Sequence, residues 1–470
     1  MLRSSLLITL ALVSPAFAQE AAAELPAQSA ASSDLNEMVA PRARVLTLQQ
    51  ALDNAHAHAP AIQAAYAQRD VADARRLRSQ AALLPSLTGT ANYSRTQANL
   101  IPRPGTTNIP RATTSADGMM ANTPALNAAH KDQFWNAFQF GLTASVLLYD
   151  FNGSIDRYRS AKEAREAALD RAKAVELTAD LNVRTAFFQA RANRALVDVA
   201  RETLANNQRH VDQIRAFVDV GTRPEIDLAQ VRTDFANARV QVVQAENNYA
   251  IAKVMLQRAM GLEGPVDFEV ADERVPAIDD EGAELDVLLK KALVDRPDVV
   301  ALTRDLRTYE LNESAAKGGF GPSLTGTTSL TAGGIELGDL RYTIAAGVGL
   351  SWPLISGGST LADIREARAN RAVTQANIAD IQLSVRLQIE QARLGLVAAI
   401  AANEAAGEAL ENARVRQRLA EGRYEAGVGN VIELGDAQVA LTQAEAQSVQ
   451  ADYNISLARA QLLNALGRIH

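Results

Sequence analysis

Glu433 and Asp436 close the stretch Gly427-Val428-Gly429-Asn430-Val431-Ile432-Glu433-Leu434-Gly435-Asp436, so two carboxylates follow a glycine-rich turn. A spacing of three puts them on one face of a returning helix, where paired negative charge attracts cations. The same acids also suit the first turn of a helix, whose N-terminus carries partial positive charge. A turn of the same kind, Gly221-Thr222-Arg223-Pro224-Glu225-Ile226-Asp227-Leu228, stands 206 positions earlier, from 427 back to 221. Gly221 and Gly427 fall where a helix C-cap favours glycine.

No other residues form a reactive set. His56, His58, His130, His210 and His470 are scattered, and the pair in His56-Ala57-His58 lies about 200° apart around a helix. They read as solvated polar residues and not as metal ligands. The glycine-rich stretches lack the Gly-Lys-Ser or Gly-Lys-Thr of a phosphate loop. There is no cysteine, which excludes disulfides, thiolate metal sites and a lipid on an N-terminal cysteine. A formal charge of −7 argues against nucleic acid, whose phosphates need a basic face. With no nucleophile, base and orienter together, neither an enzyme nor a cofactor is expected.

The elements that must position the two turns come in two copies. The shift of 206 also pairs Arg159 with Arg365, Glu202 with Glu408, Asn248 with Asn454 and Gly261 with Gly467, which reads as an internal repeat. Residues 1–18, with Arg3, an apolar run from Leu6 to Val13 and Ala16-Phe17-Ala18, have the form of a secretory signal. Residues 19–44 read as a flexible leader. The first repeat spans 45–261, with strands at about 86–98 and 136–150 and a hairpin tip at about 219–226. An equatorial insertion covers 262–283. The second repeat spans 284–470, with strands at about 323–332 and 341–355 and a tip at about 425–432.

Within each strand pair, apolar residues such as Phe138, Phe140 and Leu142 alternate with Gln139, Gly141 and Thr143, and Ser86-Leu87-Thr88-Gly89 recurs as Ser323-Leu324-Thr325-Gly326. Each hairpin leads into a helix, 154–218 or 360–424, whose length is on the order of 95 Å at about 1.5 Å per residue. From Ile155 to Ala190 the apolar seam repeats about every 3.5 residues, the coiled-coil period. Partners of equal length must be composite. The pattern points to 225–260 continued by 285–316 against the first long helix, and 431–466 continued by 46–83 against the second.

No stretch after the leader approaches the roughly 18 apolar residues of a membrane helix, so a membrane would be entered by strands. Four strands with one apolar face and one face of Ser, Thr, Gly and Asn leave two open edges, and small barrels need about eight strands. Several copies must therefore close the barrel, with aromatic residues Trp135, Tyr149, Tyr342 and Trp352 near strand ends as a girdle. A soluble β-layer packed on helices is the plainer reading of the same strands.

Leu84-Pro85-Ser86-Leu87, Pro353-Leu354-Ile355-Ser356-Gly357-Gly358, Tyr424-Glu425-Ala426-Gly427, Asp436-Ala437-Gln438 and Ala460-Gln461-Leu462-Leu463-Asn464-Ala465-Leu466-Gly467 together resemble the TolC family of outer-membrane efflux and secretion channels, across nearly all of the chain after the leader. The resemblance implies a mainly α fold with a transmembrane β-barrel: a homotrimer whose twelve-strand barrel, set in outer-membrane lipid, continues as a twelve-helix tunnel across the periplasm. It implies a channel for multidrug efflux or type I protein secretion, docked on a periplasmic adaptor and an inner-membrane pump or ABC transporter, and gated by iris-like opening of its tips. By position in the motif, Tyr424 resembles the gate tyrosine, Asp227 its partner, and Glu433 and Asp436 the acidic ring, where threefold repetition would favour block by divalent cations. Gly221, Thr222, Gly427 and Val428 fall where an adaptor docks. Where the second turn of the family's best-known member has an arginine that braces the closed state, this chain has Gly429, and Arg223 holds the matching place in the first turn. A periplasmic coiled-coil adaptor or structural protein is the alternative, though it has no need of four strands with apolar faces.

Overall fold

Residues 44–98, 133–278 and 281–468 are described in the structure, a computed structural model. The expected signal segment, the leader up to residue 43, most of the first hairpin's loop, His130 and His470 lie outside them. In chain order the elements are β1 (Arg44–Leu46), α1 (Leu48–His58), α2 (Pro60–Ala81), β2 (Ser86–Ala98), β3 (Gln133–Tyr149), α3 (Gly153–Asp219), α4 (Glu225–Met260), β4 (Phe268–Val270), α5 (Leu285–Asp295), α6 (Pro297–Gly318), β5 (Ser323–Gly334), β6 (Arg341–Ser351), α7 (Ser359–Glu425) and α8 (Val431–Ala465).

The continuous helix expected over 46–83 is two. Pro60 disfavours a helical Ala59, which turns extended at ψ 120°, and Pro60 then serves as the first residue of α2. Arg296 and Pro297 divide α5 from α6 in the same way, again at ψ 120°. These bends receive the ends of the other helices. Gly261 caps α4 at φ +72°, and a Cβ there would lie 2.6 Å from the His58 carbonyl oxygen. Gly467 follows α8 at φ +75°, where a Cβ would come within 2.8 Å of Arg296 Cγ. The columns are therefore α4 with α2, and α8 with α6, the exchange of the pairing read from the sequence. The physical reason is close backbone approach: each bend at a proline presents backbone to an incoming helix end that only glycine fits.

Laid side by side, the α2 and α4 column packs on α3, α6 and α8 lie between α3 and α7, and α7 ends the row. The packing changes along the columns. Around the middle, Phe187 and Phe188, edge to face at 5.6 Å, pack with Leu256, Met260 and Val270, while Leu288, Ile389, Leu396 and Leu462 form a second core. Each such buried side chain stabilises by about 1.5–3 kcal/mol. Beside the first core, β4 of the insertion pairs in parallel with β1, Leu46 opposite Val270. Nearer the sheet the α3 and α6 seam turns polar: Ser160 donates to Asn312 at 2.6 Å, Ser314 to Asp156 at 2.5 Å, and Arg304 to Asp170 at 2.7 Å.

The four long strands form one antiparallel sheet in the order β2-β3-β5-β6. Its register sorts the side chains. Leu87 lies opposite Ala144, Leu142 opposite Leu330, and Leu330 opposite Ile344, so apolar residues of all four strands share one face. Thr88, Thr143, Ser329 and Ala345 stand on the other. The apolar face is bare, with Leu87 72% and Tyr342 75% exposed. Among the described residues, β2 and β6 each have one unpaired edge. β6 stops at Ser351 and not at 355, because Pro353 has no N–H to donate; β3 starts at Gln133, three residues before the expected 136.

Glu313, 4% exposed, joins α6 to α7. It accepts from Arg368 and Arg371 at 3.0 Å each and pairs with Lys317 at 2.9 Å. Hydrogen bonds from Lys317 and Arg368 lead in holding its carboxyl down to about 2. A depressed carboxyl stabilises the fold above its ordinary range and loses that contribution as pH falls through the folded value. Glu313→Gln should lower stability by about 1–3 kcal/mol at neutral pH, since the exposed cations screen part of the effect. Thermal melting should show the gap closing as pH approaches 2.

Candidate functional site

The two turns are built alike up to a point. After α3, the Gly221 N–H donates to Val218 O at 2.9 Å and the Thr222 N–H to Phe217 O at 3.0 Å, with Gly221 at φ +76°. After α7, Gly427 donates to Tyr424 O and Val428 to Arg423 O, both at 3.1 Å, with Gly427 at φ +77°. Both are glycine-capped helix ends with two closing hydrogen bonds. The second turn then tightens further. Gly429 also donates to Arg423 O at 2.8 Å, and a Cβ on it would stand 2.7 Å from the Tyr424 nitrogen. A side chain there is excluded by backbone, which gives Gly429 a packing reason. Asn430 caps α8 by accepting from the Ile432 N–H at 3.1 Å.

Between the turns lies a small core of Val211, Ile214, Val231, Ala420, Leu434 and Ala437 around Tyr424. Tyr424 is 2% exposed, and its hydroxyl has no hydrogen-bond partner among the described residues. The Arg223 guanidinium, from the other hairpin, stands 4.7 Å from the ring centroid, a cation–π contact. Burial, with the Asp227 charge adding to it and Arg223 opposing, raises the Tyr424 phenol above its usual pKa. Asp227 thus acts on Tyr424 through space and is not hydrogen-bonded to it within the described chain.

The two acids of the second turn part company. Glu433 pairs with Arg423 at 3.3 Å, both about half exposed, whereas Asp436 opens onto a groove of about 560 Å³ shared with Gln230 and Asp234 of α4 and Thr203 of α3. Gly221, Thr222, Gly427 and Val428 are exposed at the tips. Neither Arg423 nor Asp234 stood out in the sequence, since each meets its neighbour only across a turn or between helices. His56, read there as solvated, has its Nε2 2.7 Å from the buried Asp180. Burial pushes that carboxyl up, with His56 opposing. His58 Nδ1 lies 3.1 Å from the Asn54 carbonyl.

The family model described as outer membrane efflux protein matches residues 51–262 and 288–468. The chain belongs to this family. It is 26% identical over 371 residues to the toluene efflux pump outer membrane protein TtgF of Pseudomonas putida, covering 76% of this chain and 75% of that protein. The CmeC outer membrane channel of Campylobacter jejuni superposes with a TM-score of 0.75 at 18% identity, over 89% of this chain and 85% of that one. The open-state MtrE outer membrane channel of Neisseria gonorrhoeae gives 0.72 at 21% identity, over 90% and 89%. This efflux protein is therefore mainly helical, carries the fold of outer-membrane channels and resides in the outer membrane. Its relatives are efflux components and not enzymes.

In this efflux protein Gly429→Ala should loosen the second tip, with an overpacking cost of about 1–3 kcal/mol. Gly435→Ala, where a Cβ meets nothing within 4 Å, is the control. Limited proteolysis should cut near residue 429 faster in the first variant and at the wild-type rate in the second.

Proposed function

We propose that three copies of this chain form an exit duct through the outer membrane, fed by a periplasmic adaptor and an inner-membrane pump. The observation that carries the reading is that the open edges coincide. β2 joins its column through α2 at one end of the row, and β6 leads into α7 at the other. Joining one end to the other extends sheet and columns together, and a rotation that closes makes a ring. With four strands each, three copies give a twelve-strand barrel, apolar residues toward lipid and Ser, Thr and Gly toward water. The bare apolar face argues against a soluble adaptor.

The tips are the gate. Arg223 on Tyr424 and Arg423 on Glu433 hold the two hairpins and the second turn in the closed form, Asp227 assists at Tyr424, and opening swings α7 and α8 away from α3 and α4. Threefold repetition gathers Glu433 and Asp436 around the entrance, where divalent cations bind. The adaptor docks at Gly221, Thr222, Gly427 and Val428. Relatives named for toluene and antibiotic efflux favour small-molecule cargo over secreted protein.

Single-channel conductance in a planar bilayer tests this. Wild type should show a small conductance blocked by divalent cations added on the tip side, and the double variant Glu433→Ala, Asp436→Ala should lose the block. Arg223→Ala should shift the closed–open balance toward open by about 2- to 5-fold, the worth of an exposed cation–π contact. An unchanged block would discard the acidic ring. A detergent-free soluble protein without conductance would leave the adaptor reading.

A further inference from the structure

Directly above the tip core, between α3 of the first hairpin and α7 and α8 of the second, lies a cavity of about 380 Å³. His210 borders it from α3. The residue is only 8% exposed, and its Nδ1 has no hydrogen-bond partner among the described residues. The charged groups facing the cavity are Glu202 and Arg209 on α3, Arg414, Arg418 and Glu421 on α7, and Glu445 on α8. Arg209 bonds Asn206, and Glu421 accepts from Gln417 at 3.1 Å. This is an unusual seam, because a buried ring nitrogen left without a partner carries a desolvation penalty. Its neighbours on either side are the small apolar core below and the Ala413, Leu441 and Ala444 contact.

We propose that His210 is a proton-operated catch on the seam between the two hairpins, neutral and buried when the tips are closed, and released into water when it takes up a proton. This rests on the gating reading above and names its regulation. The chemistry follows from what faces the ring. An imidazolium formed in place would sit in a cavity whose three arginines are matched by Glu202, Glu421 and Glu445, so the loss of water, and not a net repulsion, is what disfavours the charged ring there. Swinging α7 and α8 away hydrates all of these groups at once.

Linkage fixes the sign. Burial leads in lowering the His210 pKa, against Glu421 and Gln213, which favour the charged ring, while Arg209 works with burial. A group whose closed-state pKa is depressed favours closure above its ordinary range, and that support is lost as pH falls from there through the closed-state value. Acid therefore opens the seam through His210. Glu445 works the other way. Its carboxyl is raised by burial, then by Glu202, against Arg414, so it supports closure in acid and loses that support as pH rises through its raised value. The pair makes the response graded, with Glu445 restraining what His210 releases.

The chain's lack of cysteine permits clean labelling. Spin labels on Ile226→Cys of α4 and Ile432→Cys of α8, both well exposed, report the hairpin separation in the full-length protein in lipid, by pulsed electron resonance from about pH 7.5 to about pH 5. The expected result is a shift to longer distances with a midpoint below the ordinary imidazole range. His210→Gln should keep the neutral-pH distances throughout, and Glu445→Gln should enlarge the acid shift. Unchanged distances in the labelled parent, or a His210→Gln protein that moves with it, would overturn the catch. Conductance of the same proteins separates the two claims: a missing conductance at every pH counts against the duct, while the label distances still decide the catch.

Discussion

A sheet of four strands with one apolar face cannot be finished by the chain that makes it. In lipid every backbone N–H and C=O must find a partner within protein, and the outer edges of β2 and β6 have none among the described residues. The requirement reaches the helices as well, since the end columns carry unpartnered apolar side chains, Leu383, Leu387, Leu394 and Val397 on α7 and Val240, Val243, Ile251 and Val254 on α4. Satisfying the strand edges by a neighbour's strands brings these helices to a neighbour's helices. The membrane part and the tunnel are thus one closure problem.

Stability is graded along the columns, and the gradient bears on function. The middle holds most of the large buried residues, Phe187, Phe188, Ile389 and Leu396 among them, while Ile214 and Tyr424 belong to the small core at the tips. Toward the tips α7 buries Ala399, Ala406, Ala413 and Ala420, one small residue every seven, which keeps the coiled-coil seam while burying little area at each step. Segments with few buried contacts open first. Tips held by one small core around Tyr424, one stacked arginine and one half-exposed ion pair, and set off from the middle by a run of alanines and a buried histidine, can shift without disturbing the core above them.

Periodicity carried much of the fold. The long helices, the alternating strands and the glycine-capped turns were legible because each is a local pattern, a repeat of 3.5 or 2 or a residue suited to positive φ. What escaped notice depends on contacts distant in sequence. Pro297 follows Pro60 by 237 positions, as Pro322 follows Pro85, yet the bends they make matter only because Gly261 and Gly467 arrive there, and without that contact the column partners come out exchanged. Tyr424 and Arg223 were singled out by motif, but their stacking needs the two hairpins packed together. Gly429 looked like the loss of an arginine; the backbone of Tyr424 at 2.7 Å shows a position with no room for one. His210 gave no signal at all, since an isolated histidine on a helix acquires meaning only from the cavity it borders.

The central claim is that the chain completes itself by joining its β6 end to the β2 end of an identical copy. Electron cryo-microscopy of the full-length protein in lipid nanodiscs tests it directly. The account predicts threefold particles in which β6 of each copy hydrogen-bonds antiparallel to β2 of the next, with α7 lying against the neighbour's α2 and α4 column. Twofold particles with β6 paired to β6, or single copies whose edges are covered by another part of the same chain, would contradict it.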